Sequence, residues 1–77
     1  MPLDPLPAWV LTRRQAIGDR VRAAREARGV TQEQLAERID RDRKTVNRIE
    51  QGTLATKVDD LILIADALDT PLADLVR

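Results

Sequence analysis

Residues 29–52 read GVTQEQLAERIDRDRKTVNRIEQG, and the punctuation inside this stretch sets two short helices across a turn. Gly29 stands where a left-handed residue ends the preceding helix, with Val30 placed to pack back in a Schellman closure. Thr31-Gln32-Glu33-Gln34 has the form of a capping box. The Thr31 hydroxyl takes the residue-34 amide, and the Gln34 side chain returns to the Thr31 amide. Val30 and Leu35 occupy the two staple positions around that start. A helix over about 32–39 follows, with Leu35, Ala36 and Ile39 turned inward. Asp40-Arg41 makes the turn, Asp42 is a good N-cap, and a helix over residues 43–51 stops at Gly52.

The second of these helices has two unlike sides. At 100° per residue, Thr45, Val46 and Ile49 fall together, while Arg43, Lys44, Asn47 and Arg48 cluster opposite. Three cations and one amide therefore share the front of the helix. These are groups that read DNA: Arg and Lys donate to guanine O6 and N7, and Asn pairs with adenine N6 and N7. An ordinary solvated face has the same composition, so this helix by itself leaves both readings open.

Working upstream, Thr12-Arg13-Arg14-Gln15 repeats the capping-box form and predicts a helix over about 13–28, with Ile17, Val21 and Ala24 on one stripe. Residues 1–11, interrupted by Pro2, Pro5 and Pro7, read as an N-terminal arm ahead of a domain over 12–77. Downstream, residues 53–57 form a loop with Thr56 as the expected cap. A helix over about 57–68 carries Val58, Leu61, Ile62, Ala65 and Leu68 at helical spacing. In this phasing Leu61, Ile62, Ala65 and Leu68 face the core and Leu63 points outward. Asp59 and Asp60 lie in the first turn, where the helix dipole favours anions. Thr70-Pro71 restarts the chain as cap and first helical residue, and Leu72, Leu75 and Val76 return to the core. The fold class is all-α: a compact five-helix domain with a helix-turn-helix in helices 2 and 3, behind a Pro-rich arm.

Composition narrows the function classes. A chain of 77 residues makes one domain with a marginal core. It has no Cys, His or Ser, which removes Cys/His zinc sites, an imidazole base and the usual activated nucleophiles. The three glycines are isolated, so there is no phosphate-cradling Gly-rich loop. An enzyme, a metal or a cofactor is not expected. No apolar run suffices to span a bilayer, the N-terminus lacks a basic leader pattern, and the absence of Cys fits a reducing interior. The expectation is a cytoplasmic protein. Net charge is zero but unevenly spread: residues 13–57 hold twelve Lys or Arg against seven Asp or Glu, whereas residues 58–77 hold one Arg against five Asp. Such asymmetry suits one face for phosphate and another for a different partner.

The 24 positions 29–52, with Ile17-Gly18-Asp19-Arg20-Val21 before them and the Leu61 to Leu75 helices after, resemble the lambda-repressor and Cro type of helix-turn-helix, the XRE family. The resemblance implies that Arg43, Lys44, Asn47 and Arg48 face the major groove. It places Gln32 on a phosphate, with Thr31, Arg41, Thr45 and Lys57 as further backbone contacts. It also implies that Arg25 and Glu50 form an ion pair linking the first and third helices. Three positions depart from the pattern. Asp40 replaces the usual turn glycine, Arg41 replaces an apolar residue, and the loop Thr53-Leu54-Ala55-Thr56 holds few cations. The function implied is a sequence-specific transcriptional regulator, a repressor, binding a palindromic double-stranded operator as a homodimer. Trp9, Val10, Leu63, Leu72 and Val76 are the candidate dimer residues. The alternative is an antitoxin-like interaction module whose acidic C-terminal half holds a partner protein.

Overall fold

Pro7 opens the first helix. The computed structural model describes residues 5–77, and α1 (Ala8–Ala27) begins directly after Pro7, which has no side-chain capping bond. Proline's fixed φ pre-sets a helix start, and the Val10 amide donates to the Pro7 carbonyl at 3.0 Å. The helix therefore starts about one turn earlier than the sequence suggested. Thr12, expected as the cap, lies inside α1, where its hydroxyl donates to the Ala8 carbonyl at 3.1 Å. The boundary between arm and domain at residues 11 and 12 falls within a continuous helix. Of the expected arm, residues 1–4 lie outside the described residues and 8–11 form the first turn of α1.

The next junctions follow the sequence signals closely. At the end of α1 the amides of Gly29 and Val30 donate to the carbonyls of Glu26 and Arg25, the two bonds of a Schellman closure. Both capping-box bonds at Thr31 and Gln34 are present and start α2 (Gln32–Arg38). Asp40 takes a left-handed backbone with φ of 56°. Asp42 caps α3 (Arg43–Gln51) by accepting from the Thr45 amide at 2.8 Å.

Two later caps differ from expectation. α4 (Val58–Ala67) has Lys57 at its N-cap with no side-chain bond; the Thr56 hydroxyl turns back to the Leu54 carbonyl instead. α5 (Leu72–Val76) has Pro71 at its N-cap, and the Thr70 hydroxyl donates to the Leu68 carbonyl.

Val21, Leu35, Val46, Ile49, Ile64, Leu68 and Leu75 are the fully buried centre, drawn from all five helices or their ends. The phase of α4 is rotated relative to the sequence reading. Ile64 is buried, whereas Ile62 and Val58 are 48% and 65% exposed. Leu63 points outward as expected, at 40% exposed. The inward line is residues 60, 61, 64 and 65: Leu61, Ile64 and Ala65 join the core cluster, and Asp60, 7% exposed, pairs with Arg41 on the same side. Among the described residues no helix is long and apolar enough to cross a membrane.

Candidate nucleic-acid interface

The position of α3 is set by three neighbours. The first is a close approach at Gly18 of α1: an added Cβ there would lie 2.5 Å from the carbonyl oxygens of both Ile49 and Glu50. No other residue permits the two helix backbones to come so near. At the far end Gly52 closes α3 with φ of 71°, and an added Cβ would fall 2.8 Å from the Gln15 Cα.

The second is the Arg25–Glu50 pair. Arg25 Nε donates to Glu50 Oε2 at 2.6 Å and its Nη2 to Oε1 at 3.0 Å, while Nη1 donates to the Val30 carbonyl at 2.8 Å. The side chains are 11% and 2% exposed. The carboxylate's hydrogen bond holds Arg25 above its ordinary pKa, against the opposing effect of burial. This fork satisfies a nearly dry carboxylate and joins α1, α3 and the start of α2.

The third is Gln32, whose amide bridges α2 to α3. Its Nε2 donates to Asn47 Oδ1 and to Glu50 Oε1, both at 3.1 Å, and its Oε1 accepts from Arg43 at 3.3 Å. Asn47 is thereby oriented: its oxygen is engaged, and its amide nitrogen donates to nothing among the described residues.

With α3 fixed, the side chains that the sequence singled out separate by exposure. Val46 and Ile49 are buried, Thr45 and Asn47 half-buried, and Arg43, Lys44 and Arg48 exposed. The four candidate base-reading residues therefore lie on one open side. Among the candidate phosphate contacts, Thr31 spends its hydroxyl oxygen on the Gln34 amide, and Lys57 is exposed at the head of α4. Arg41 is tied down: its Nη2 meets Asp60 Oδ1 at 2.8 Å and its Nη1 meets the Asp40 carbonyl at 3.0 Å. Two further arginines face inward acceptors. Arg28 donates to the Asp69 carbonyl and Arg38 to the Ala67 carbonyl, so both close the C-terminal end of α4.

The candidate dimer residues divide. Trp9 is 69% exposed, but Val10, next to it, is half-buried and lines an apolar groove of its own domain with Ile17, Ile49 and Leu61. Leu72 and Val76 are partly buried against the core.

Sequence reasoning missed three groups near this surface. Asp60 as a buried partner for Arg41 has no local signature, being 19 positions away. Arg22 and Gln51 line an open groove of about 380 Å³ along α3 together with Gln32 and Asn47. Extending the helical wheel of α1 past Arg25 would have found Arg22.

The geometry agrees with three comparisons. A family profile described as a helix-turn-helix domain matches residues 16–77. The fold is similar to the restriction-modification controller protein C.AhdI from Aeromonas hydrophila, with 31% identity and a TM-score of 0.81 over 84% of this chain and 94% of that one. It is also similar to the clp gene regulator ClgR from Corynebacterium glutamicum, with 28% identity and a TM-score of 0.79 over 94% of this chain and 86% of that one. No curated protein matches the sequence.

Proposed function

The chain belongs to the helix-turn-helix domain family, and we propose that it is a sequence-specific DNA-binding transcriptional regulator that places α3 in the major groove as a homodimer. One observation carries this reading. The exposed side of α3 gathers Arg43, Lys44 and Arg48 around an Asn47 whose donor is free, while its other side is locked by Glu50 and Val46. Donors carried on a helix held in this way suit base edges. A single nine-residue helix reads few base pairs, so two copies about 34 Å apart on a palindromic site supply the specificity. Val58, Ile62 and Leu63 expose apolar surface on α4, the chemistry a second copy would cover.

Selection from a random duplex pool, followed by binding of Arg48→Ala to the selected site, tests the readout. Specific affinity should fall by about 1–3 kcal/mol with the helical dichroism unchanged. Equal losses on selected and random duplexes would remove the base contact. Sedimentation at micromolar concentration tests the dimer, with Ile62→Asp expected to dissociate it.

A second reading draws on the same α4 surface. Exposed Asp59 and Asp66 flank the apolar residues, a pattern that also fits a basic, apolar partner protein, as in an antitoxin. A chain that sediments as a monomer both free and on DNA would favour that reading over the homodimer.

A further inference from the structure

Arg22 is a cation on the α3 flank whose side chain no other helix holds. It stands four residues after Gly18 on α1, hence on the side of that helix that meets the α3 backbone. Its side chain is 63% exposed, and among the described residues its ionic partner is Glu26 on the same helix at 3.6 Å. An exposed pair at that spacing contributes little and exchanges easily. Of the groove's other polar groups, Arg25 is engaged by Glu50 and Val30 and the Gln32 amide by Asn47, Glu50 and Arg43, which leaves the Asn47 amide nitrogen and Gln51 open beside Arg22. Arg22 therefore brings a guanidinium, held only by an exposed partner on its own helix, from a third helix to the rim of the groove that Gln32, Asn47 and Gln51 line.

We propose that Arg22 is a DNA-backbone contact, adding α1 to the helix-turn-helix as a third element of the binding surface. It rests on the reading of α3 as the major-groove helix. With α3 in the groove, the phosphates that border Asn47 and Gln32 pass the rim where Arg22 stands. The guanidinium then exchanges the Glu26 carboxylate for a phosphodiester, whose paired oxygens match its fork. Glu26, 57% exposed, opposes the same phosphate, so the pair sets the strength of the contact. Such a contact carries no sequence information.

The full chain is titrated against a random-sequence duplex and against a selected site over a range of salt. Arg22→Gln should weaken both complexes by the same factor, and the slope of log K against log salt should fall by about 0.9 per protomer. Arg22→Lys should keep the slope, and Glu26→Gln should strengthen both complexes. Thermal melting should be unchanged by all three, since the side chains are exposed. Wild-type affinity and slope for Arg22→Gln, with Arg48→Ala impaired on the selected site, would overturn this contact alone. A wild-type chain with no salt-dependent affinity for either duplex would overturn it together with the reading of α3.

Discussion

Arg25–Glu50 and Arg41–Asp60 are both arginine–carboxylate pairs that bring helices together, and they hold the helix-turn-helix by different means. The first is a two-pronged clamp between α1 and α3, with side chains 11% and 2% exposed and a third bond to a backbone carbonyl. The second ties the turn before α3 to α4 through one contact of 2.8 Å, with the arginine 37% and the aspartate 9% exposed. A charge that water cannot reach depends wholly on its partner; a charge with an open side keeps a solvated alternative. The clamp thus fixes the angle of α3, whereas the tether only steadies its approach.

The largest effect expected from this contrast is at the clamp. Glu50→Ala strands Arg25 and removes an acceptor from Gln32, and should destabilise the fold by about 3–5 kcal/mol in thermal melts followed by circular dichroism. A loss under about 1 kcal/mol would erase the distinction between the two pairs. Asp60→Ala should cost less, about 1 kcal/mol, because the Arg41 it leaves behind is open to solvent. Added salt should shrink the Asp60→Ala deficit and leave the Glu50→Ala deficit nearly unchanged, since screening reaches only the more exposed pair.

The smallest effect is at the Asp42 cap, a carboxylate in a third setting, fully exposed. The Thr45 hydroxyl and amide hold it below the ordinary carboxylate range. A depressed folded pKa contributes stability that is complete above the unfolded value, near 3.9, and is lost as pH falls through the lower folded value. The melting difference between wild type and Asp42→Ala should therefore be small at neutral pH and close below about pH 4. A difference that does not narrow as pH falls below about 4 would mean the cap acts through packing and not charge.

The same contrast explains which parts of the fold were legible in the sequence. Thr31 to Gln34, Asp42 and Gly29 satisfy backbone groups within a few residues, so local spacing was enough to place α2 and α3. Thr12, Thr56 and Thr70 carry the same cap chemistry yet bond carbonyls behind them; at Thr12 and Thr70 the reason is that Pro7 and Pro71 already set where the helices begin. α4 is apolar around most of its circumference, so hydrophobicity could not fix its phase. Long-range packing did so, with Leu61, Ile64 and Leu68 in the core and Asp60 on the same line reaching Arg41. The open face of α3 was legible because Arg43, Lys44 and Arg48 alternate with buried Val46 and Ile49. The Gln32 bridge and the position of Arg22 depend on helix crossing, which spacing along the chain does not encode.

Trp9 gives the molecule an unusual optical property. It is the only aromatic residue in the sequence, and it lies 69% exposed on the first turn of α1. Its indole already samples water in the native state, so emission at that wavelength should barely shift when the core melts. What it will register is a cover placed over the start of α1. A blue shift that grows with protein concentration would report a second copy arriving there, and one that appears only with duplex would report the nucleic acid. The fluorophore is silent on folding and tuned to company.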